Sequence, residues 1–500
     1  MTAPRVLVLG GGVAGITAAL DCAAGGASVT LVEVRPRLGG AAYSFEREGL
    51  QVDNGQHVFM RCCTAYRALL ERLGSTGSVR LQPHLEVPVL APDGRRAVLR
   101  RSALPAPAHM LGALARFPFL RPRQRLRAAI AARALAGVDT RSELADRESL
   151  GSWLAAHGQD ASAIDALWDL VALPTLNVRA HEASLAVGAF VFQTALLGQA
   201  DAGDIGFHVE PLGRVIGEPA LRVLRESGVE VLLGRRASHI EPRGGAHRVR
   251  LAPGGDGAGG LDCDAVVVAL PHQRVASLLP AGLEPLAGRL RSLGSSPIVN
   301  LHVVFDRTVC ELPFLAGLGT PVQYVFDRTH GGGVERGQYL AISLSGAERE
   351  MAMSVDELRG EYLPALQELL PESRGARVER FLVTREHAAT FRAAPGSGAL
   401  RPGAQTGLPG LLLAGAYTDT GWPATLEGAV RSGHAAARGA LEAVGLASAS
   451  GVSAAGSASA ESAGARITAR SGERLTAVGA EAAPGGASSG SRAVLARGDR

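Results

Sequence analysis

The chain has 500 residues and a net charge of +4, and its 46% apolar content is enough for a large hydrophobic core. All its basic residues other than histidine are arginine, which excludes a lysine Schiff base or a lysine general base. No apolar run reaches the roughly 20 residues of a membrane-spanning helix. The N-terminus lacks the pattern of a secretory signal, so we expect a cytoplasmic protein.

The first 33 residues have the pattern of a strand–helix–strand unit. Residues 5–9 (RVLVL) predict a buried parallel strand, residues 16–24 a helix rich in small side chains, and residues 28–33 (SVTLVE) a second strand. A βαβ motif needs about 30 residues, which is the length available here.

Later segments differ in character. Residues 102–200 are rich in Ala, Leu and Arg with helical periodicity, and they predict a helical insertion. Residues 254–260 (GGDGAGG) predict a surface hairpin loop. The Ala/Gly/Ser-rich residues 447–500 predict a disordered tail, because they offer little apolar surface to bury. Strands are also predicted at 228–240, 265–270, 298–305, 339–344 and 411–414, and a helix at 425–437.

The cysteines favour neither a disulfide framework nor a metal site. Their number, five, is odd, their spacing is irregular, and no Cys/His spacing resembles a zinc site. Cys62 and Cys63 are adjacent, which leaves two interpretations open: a redox-active dithiol, or two small buried apolar side chains.

A glycine motif, GGGVAG at 10–15, joins the first predicted strand to the first helix. The first glycine of a GxGxxG pattern permits a tight turn, the second lets the backbone approach a pyrophosphate, and the third allows close helix–strand packing. A helix N-terminus favours a negative ligand, and an acid at the end of the second strand accepts hydrogen bonds from ribose. A glycine turn without a ligand is the alternative. The predicted dinucleotide contacts are Gly10, Gly12, Val13, Ala14, Gly15 and Glu33.

Further glycines favour FAD over a nicotinamide dinucleotide. The run EVRPRLGG at 33–40 suits a second backbone passage along a long dinucleotide. Far downstream, LAGAYTDTGWPATLEG at 413–428 places a glycine after a strand and begins another helix, which directs a second helix N-terminus at a ligand. The additional residues predicted to bind FAD are Arg37, Gly39, Gly40, Gly415 and Asp419.

At these residues the chain resembles the amine oxidase and phytoene desaturase superfamily of FAD enzymes over most of its length. GGGVAG, EVRPRLGG and GAYTDTGWPATLEGAVRSG carry the resemblance. It implies an α/β fold with a Rossmann-like FAD-binding domain, a discontinuous α+β substrate domain and the helical insertion. It also implies that Ala237 contacts adenine through its backbone, that Gly415 and Asp419 approach the pyrophosphate or ribityl chain, and that residues 422–426 lie against the flavin. The last group comprises Trp422, Ala424, Thr425 and Leu426.

These expectations divide the chain into three parts. The FAD-binding domain is predicted at 1–75, 205–290 and 375–446. The substrate and membrane-facing domain is predicted at 76–204 and 291–374, and the tail at 447–500.

Within the superfamily the chain is most similar to the hydroxysqualene dehydroxylases, the squalene-associated FAD-dependent desaturases. The matching runs are VDNGQHVFM at 52–60, LPTLNVRAHEASL at 173–185 and TDTGWPATLEGAVRSG at 418–433. This similarity implies that hydroxysqualene and reduced flavin give squalene and water, through loss of the hydroxyl as an allylic cation forms. A C30 isoprenoid substrate needs a long, dry tunnel.

Three other functions stay open: a carotenoid-type desaturase or isomerase, a flavin amine oxidase, and a non-catalytic FAD-binding scaffold. Resemblance to the amine oxidases would imply a lysine near the flavin, and the absence of lysine therefore disfavours that function.

The group that protonates the departing hydroxyl is predicted to be His57, because DNGQH at 53–57 is expected near the flavin. The alternative is a histidine with a structural role beside the cofactor. Asp53, Tyr417 and Asp419 are further candidates, although Asp419 is expected to bind FAD.

A basic segment lies at 103–137, within a stretch from Asp93 to Asp139 that contains ten arginines and no acidic residue between those two aspartates. Leu, Phe and Met are interspersed among the arginines, a composition that favours peripheral contact with an anionic membrane, here the inner face of the cell membrane. The alternative is a solvated helix pair packed on its own core. No nucleic-acid motif accompanies the charges, so nucleic acid is not an expected partner.

Overall fold

The computed structural model of the protein describes residues 3–252 and 259–447. Most of the loop predicted at 254–260 lies outside the described residues, as does the tail predicted at 447–500 beyond Ala447.

The strands and helices of the described residues are as follows. The strands are β1 (Arg5–Leu9), β2 (Ser28–Glu33), β3 (Ser44–Arg47), β4 (Leu50–Asp53), β5 (Val58–Met60), β6 (Val79–Leu81), β7 (Glu86–Leu90), β8 (Arg96–Arg100), β9 (Ile205–His208), β10 (Glu230–Leu233), β11 (Ala237–Arg243), β12 (Ala246–Leu251), β13 (Gly260–Cys263), β14 (Ala265–Val268), β15 (Ser295–Phe305), β16 (Phe314–Gly317), β17 (Tyr324–Asp327), β18 (Gln338–Ser345), β19 (Val378–Phe391) and β20 (Leu411–Leu413). The helices are α1 (Val13–Ala24), α2 (Thr64–Leu73), α3 (Leu111–Arg116), α4 (Pro122–Leu135), α5 (Glu143–Arg147), α6 (Leu150–Ala156), α7 (Ala161–Ala163), α8 (Asp169–Leu176), α9 (Leu185–Phe192), α10 (Glu218–Glu226), α11 (His272–Val275), α12 (Glu284–Ser292), α13 (Glu348–Ala352), α14 (Val355–Leu369), α15 (Ser397–Leu400) and α16 (Leu426–Ala443).

A five-stranded parallel sheet has the order β10-β2-β1-β14-β20. Strands β1, β14 and β20 are buried on both faces, as their continuous Val/Leu runs predict, whereas the edge strand β10 is partly exposed. Along β1, Val6 and Val8 join the core formed with α1 and α16, whereas Leu7 and Leu9 join the core shared with the helical insertion. Side chains of a strand alternate between the two faces, so this one short strand contributes to both cores.

The segment predicted to have strand character at 228–240 contains two strands. β10 belongs to the parallel sheet, whereas β11 pairs antiparallel with β12 in a separate three-stranded sheet that β13 completes. Gly234 lies between them at φ +70°, a left-handed conformation that ends the extended chain and that glycine adopts without strain.

A seven-stranded sheet of order β19-β15-β18-β17-β16-β7-β8 forms the second large layer. It is antiparallel except where β16 runs parallel to β7. The strands predicted at 298–305 and 339–344 are β15 and β18, at its centre. β19 lies within the segment 375–446 that was assigned to FAD binding, yet it pairs along β15. The domain boundaries therefore stay a prediction.

The predicted insertion at 102–200 is helical and contains α3 to α9. Residues 164–168 and 193–197 continue its α-helices as π-helical turns. Asn177 ends α8 at φ +57° and connects the helical insertion to the seven-stranded sheet. Its side-chain amide donates to the Ser296 carbonyl, 2.9 Å, and accepts from the Gly346 N–H, 2.7 Å. The insertion is thus held against β15 and the end of β18.

These layers give an α/β fold with a Rossmann-like parallel sheet, a largely antiparallel second sheet and a helical insertion. Within 3–252 and 259–447, no helix has the length and hydropathy needed to cross a membrane.

Candidate functional site

The GxGxxG turn tolerates no side chain at two of its glycines. Gly10 has φ +108°, and a Cβ there would collide with the Ala269 carbonyl oxygen. A Cβ at Gly15 would collide with the carbonyl oxygen of Gly10, because α1 passes directly over the end of β1. The expected roles in turn formation and helix–strand packing fit this geometry.

Gly12 differs from these two, because the space beside it is open. A Cβ added there would find its nearest neighbour, the Gly40 Cα atom, 3.6 Å away, which is ordinary contact. Gly12 caps α1, and no side chain accepts a hydrogen bond from the helix N-terminus. The first N–H groups of α1, including those of Val13 and Ala14, therefore lack a side-chain acceptor and form a site suited to an anion.

Glu33 ends β2 beside this turn and is 7% exposed. Its carboxylate accepts hydrogen bonds from the Gly11 N–H, 2.6 Å, and the Arg35 N–H, 2.7 Å. These bonds fix the carboxylate at the edge of the glycine turn, where a ribose hydroxyl donor can reach it.

The second glycine pair packs directly on the first turn. The Gly39 N–H donates to the Gly11 carbonyl, 2.9 Å, and Gly39 and Gly40 have φ +106° and +60°. A Cβ at Gly40 would lie 2.6 Å from the Gly12 Cα atom. Arg37, also in this run, lies over the Tyr43 ring at 3.5 Å. Two glycine loops, separated by one helix and one strand, thus meet in one cradle.

Ala237 is brought towards the same edge by the backbone before it. The Arg235 N–H donates to the Glu33 carbonyl, 2.9 Å, so the chain leaving β10 passes alongside the end of β2. Ala237 is half-buried and starts β11 two residues later. Its predicted backbone contact with adenine stays a prediction.

The C-terminal loop after β20 is braced by a buried arginine that sequence reasoning missed. Arg401 is 8% exposed and donates hydrogen bonds to the carbonyls of Tyr417, Thr418 and Trp422. Gly415 precedes the loop at φ +143°, and its Cβ would press on the Tyr417 ring. No local pattern marks Arg401, because its three acceptors are backbone atoms of a segment further along the chain.

The remaining predicted flavin contacts lie where α16 begins. Trp422 packs edge-on against Phe190 with ring centroids 5.2 Å apart, and Arg431 lies over its ring at 5.1 Å. The Thr425 hydroxyl caps α16 by accepting from the Gly428 N–H, 3.1 Å. Ala424 and Leu426, on either side of Thr425, are half-buried, and Asp419 is exposed. Their assignment to the flavin stays a prediction.

Glu427 is a second residue that the sequence reasoning missed. It is 0% exposed and accepts hydrogen bonds from the Ala65 and Tyr66 N–H groups at the start of α2. It also pairs with Arg431, 2.7 Å, one helical turn later. That i,i+4 acid–arginine spacing is the one signal in the sequence that marks it.

Asp53, one of the candidate proton donors, is bonded on both carboxylate oxygens. Oδ2 pairs with Arg328 at 2.8 Å, and the two side chains are 5% and 11% exposed. Oδ1 accepts from the Ser44 hydroxyl and the Leu212 N–H. This geometry favours a structural role, in which Asp53 joins β4 to the residues that follow β17.

His57 lies half-buried beyond Asp53, and a chain of hydrogen bonds holds its backbone. Its carbonyl oxygen accepts from His208 Nδ1, 2.9 Å, so His208 Nε2 is the acceptor for the Tyr66 hydroxyl, 2.7 Å. Burial lowers the pKa of His57, although the charge of Asp53 and a hydrogen bond with the Ala41 backbone oppose the change. Burial also lowers the pKa of His208 to about 3, which keeps that ring neutral.

The adjacent cysteines are free thiols, and Cys63 is buried. A hydrogen bond with Cys62, together with burial, raises the pKa of Cys63 well above its ordinary value. Thiol exchange needs a thiolate, so this environment favours the interpretation as small apolar side chains over a redox dithiol.

A cavity of about 500 Å³ lies between the helical insertion and the seven-stranded sheet. Its wall is apolar apart from a few hydroxyls, an arginine and the Gln56 amide. Val58 lines it and is 44% exposed, and Leu111 lines it and is 51% exposed, so the cavity opens beside the 53–57 loop and within the basic segment. Representative lining residues are Met60, Leu85, Leu114, Trp168, Phe192 and Phe314.

The residues around the glycine turn fit FAD in chemistry and in space. The open side of Gly12, the second glycine loop against it and the uncapped start of α1 form a cradle that a side chain would fill. A dinucleotide has the pyrophosphate for that cradle and the ribose for Glu33.

Comparison with known proteins agrees with this geometry. The family described as flavin containing amine oxidoreductase matches residues 13–441. The chain is 29% identical to a hydroxysqualene dehydroxylase of Rhodopseudomonas palustris, with 86% of this chain and 97% of that protein covered. It is 23% identical to a zeta-carotene desaturase of Synechocystis, with 87% and 97% covered.

Solved structures share the fold. Putrescine oxidase superimposes with a TM-score of 0.65 at 18% identity, covering 89% of this chain and 99% of that one. Cyclohexylamine oxidase of Brevibacterium oxydans gives a TM-score of 0.66 at 18% identity, covering 88% and 99%. The chain is thus an FAD-dependent oxidoreductase and belongs to the flavin containing amine oxidoreductase family.

Proposed function

We propose that this protein removes the hydroxyl group of a long isoprenoid alcohol, with hydroxysqualene as its substrate, by reduction. The observation that carries the proposal is the cavity of about 500 Å³, whose wall is apolar and which opens beside the 53–57 loop. The similarity to hydroxysqualene dehydroxylases over most of the chain supports the same substrate.

The proposed reaction breaks one C–O bond and forms one C–H bond. Reduced FAD supplies the hydride, and the hydroxyl leaves with a proton as water. The apolar wall excludes bulk water from an allylic cation that water would otherwise capture. His57 is the proposed proton donor, since its loop borders the cavity and its backbone is held by His208.

An anaerobic assay tests this proposal. Purified holoenzyme is reduced with dithionite, mixed with hydroxysqualene in detergent, and the extract is analysed for squalene by gas chromatography. We expect squalene in amounts that exceed the enzyme, with the apoprotein, freed of FAD, as the control. No squalene above that control would overturn the proposal.

A carotenoid-type desaturase is the second candidate, and the similarity to zeta-carotene desaturases favours it. In a desaturase the substrate reduces the flavin, whereas in the reductive dehydroxylation the substrate oxidises it. Oxidised holoenzyme mixed anaerobically with zeta-carotene bleaches the flavin absorbance only if the protein is a desaturase. We expect no bleaching with the carotene, and reoxidation of reduced enzyme with hydroxysqualene.

We also propose that the substrate enters from an anionic membrane surface through the basic segment at 103–137. Leu126 and Ile130 of α4 are 65% and 58% exposed, and Leu111, which lines the cavity, is 51% exposed. The arginines at 116, 123 and 127 are exposed and form no ion pair with any residue in the described part of the chain. Exposed apolar side chains among unpaired cations are the composition of a peripheral lipid-binding surface.

Vesicle flotation tests this entry surface. Holoenzyme is mixed with vesicles of phosphatidylcholine alone or with phosphatidylglycerol added. We expect binding only to the anionic vesicles and its loss in Leu126→Ser/Ile130→Ser. Leu144→Ser removes an even more exposed leucine, 79%, outside the segment, and it should bind like wild type. Equal binding by all three proteins would contradict the proposal.

A further inference from the structure

One buried polar atom in the cavity wall has no hydrogen-bond partner. The Gln56 side-chain nitrogen Nε2 is buried and forms no hydrogen bond, and it is the one such atom among the described residues that line the cavity. Two hydroxyls of the same wall are bonded within the protein: the Thr175 hydroxyl donates to the Val171 carbonyl, 2.6 Å, and the Tyr324 hydroxyl donates to the Leu170 carbonyl, 2.7 Å.

An unpartnered amide in an apolar wall is costly. Burying such a group without a partner costs its hydration without replacing it, so buried polar side chains are nearly always paired. An unpaired one at a ligand-binding surface is therefore a candidate for pairing with the ligand.

The backbone that presents Gln56 is held firmly in place. The Asn54 side chain accepts from the Tyr43 N–H, 3.0 Å, and donates to the Ala41 carbonyl, 2.9 Å. The Asn54 carbonyl accepts from the Asn300 amide, 3.0 Å, and the Thr384 hydroxyl, 3.1 Å. A polar group on so constrained a loop is preorganised, and little ordering entropy is lost when it binds a ligand.

The chemistry of the surroundings restricts the ligand. Most residues that share the cavity wall with Gln56, such as Ile298 and Met60, are apolar, and the wall contains a single charged residue, Arg133. The carboxamide N–H is a neutral donor, which suits a neutral oxygen acceptor such as an alcohol on a hydrocarbon chain and does not suit an ammonium group.

We propose that the Gln56 amide binds the hydroxyl oxygen of the substrate and so selects an isoprenoid alcohol over the matching hydrocarbon. This inference rests on the proposed function for the identity of the alcohol. It places the single oxygen of an otherwise apolar substrate at the 53–57 loop. Gln56 acts here as a binding and positioning residue, and His57 beside it remains the proposed proton donor.

Ligand binding to the oxidised holoenzyme tests this inference without turnover. Hydroxysqualene and squalene are titrated in the same detergent, and the change in flavin absorbance or fluorescence gives each affinity. Because a neutral hydrogen bond contributes about 0.5–1.5 kcal/mol, we expect Gln56→Leu to bind hydroxysqualene roughly 3- to 10-fold more weakly than wild type. Its affinity for squalene should be unchanged or higher. The control Gln273→Leu makes the same exchange at an exposed position outside the cavity and should behave as wild type.

Each outcome of the titration either supports or overturns the inference. Unchanged hydroxysqualene binding in Gln56→Leu overturns it, as does an equal loss for both ligands, which would indicate general damage to the cavity. Steady-state kinetics with hydroxysqualene distinguishes a binding role from a structural one. In Gln56→Leu we expect KM to rise by a larger factor than kcat falls. Because the titration needs no reductant, its result is independent of whether the reductive reaction itself occurs.

Discussion

The two halves of the site differ in how their residues are brought together. At the glycine turn, the residues from Gly10 to Gly40 are close in sequence, and their contacts run between neighbouring turns, such as the bond from Gly39 to Gly11. The cavity is lined by residues from 56 to 345, contributed by the helical insertion and by β5, β7, β8, β9, β15, β16, β17 and β18.

This difference teaches where function is encoded. A phosphate cradle depends on backbone N–H groups and on the lack of a Cβ. It therefore needs glycines at fixed spacing and is encoded by residues close together in the sequence. An apolar cavity depends on the shape left between packed layers, so many side chains can line it and no spacing identifies it.

The largest effect is expected at the buried Asp53–Arg328 ion pair. Arg328→Ala leaves Asp53 buried without its cation, and breaking such a buried pair costs about 3–5 kcal/mol. Urea unfolding of the holoenzyme measures the change. Arg248→Ala removes a more exposed pair with Asp262 and should cost about 0–1 kcal/mol. Equal effects of the two substitutions would contradict the role of Asp53 and Arg328 as a buried anchor.

A smaller effect, confined to the cofactor half, is expected for Gly12→Ala. The added methyl group fits the protein, with its nearest contact at 3.6 Å, but it occupies the open side of the turn. Loss of a hydrogen bond to a charged group costs about 1.5–3 kcal/mol, so FAD affinity should fall roughly 10- to 150-fold. Fluorescence titration of the apoprotein measures it. Gly288→Ala, in α12 with open space around it, should leave FAD affinity unchanged.

Acid should destabilise the second sheet through His302. Burial lowers the pKa of His302 to about 3 from 6.5, so the unfolded chain binds a proton first as the pH falls. Above pH 6.5, His302 does not lower the free energy of unfolding. As the pH falls from 6.5 towards 3, this free energy decreases by about 1.4 kcal/mol per pH unit for one proton. His302→Gln should flatten the pH dependence of the unfolding free energy between pH 6 and about 4, whereas exchange of the exposed His330 should not.

The smallest effect is expected in the pH profile of turnover. If His57 donates the proton, only its charged form is the efficient acid, and burial lowers its pKa below 6.5. Activity with hydroxysqualene should therefore rise as the pH falls from 8 towards about 6, and this rise should disappear in His57→Gln. His157→Gln, at an exposed position, is the control. A rise that persists in His57→Gln would assign the proton to another group.

Much of the fold could be predicted because strand and helix patterns are local. The βαβ unit, the helical insertion and the strands at 265–270 and 411–414 follow from runs of Val, Leu and Ala with glycine between them. The break at Gly234 was not predicted, because a glycine within a strand-like run does not indicate which sheet the residues before and after it will join. The pairing of β19 with β15, across more than seventy residues, leaves no sign in either segment.

The same division applies within the site. Gly10, Gly15 and Glu33 could be named in advance, because their roles depend on the positions of residues along one turn. Arg401 and Arg328 could not, since each acts on atoms that only the folded chain brings near. Gln56 lies within the DNGQH run at 53–57. That its side-chain nitrogen lacks a hydrogen-bond partner depends on the folded cavity and could not be predicted from the sequence.

The sequence by itself determined that this protein binds a dinucleotide and, through its second glycine pair and the loop after β20, that the dinucleotide is FAD. Backbone geometry at a glycine turn is fixed by residues close along the chain, so it can be inferred without the fold. The tertiary structure alone decided that Asp53 anchors its loop through Arg328 and that the cavity opens at the 53–57 loop and at the basic segment. It also decided that the side-chain nitrogen of Gln56 is buried without a hydrogen-bond partner. Those properties depend on burial and on contacts between distant segments, which no local pattern of residues encodes.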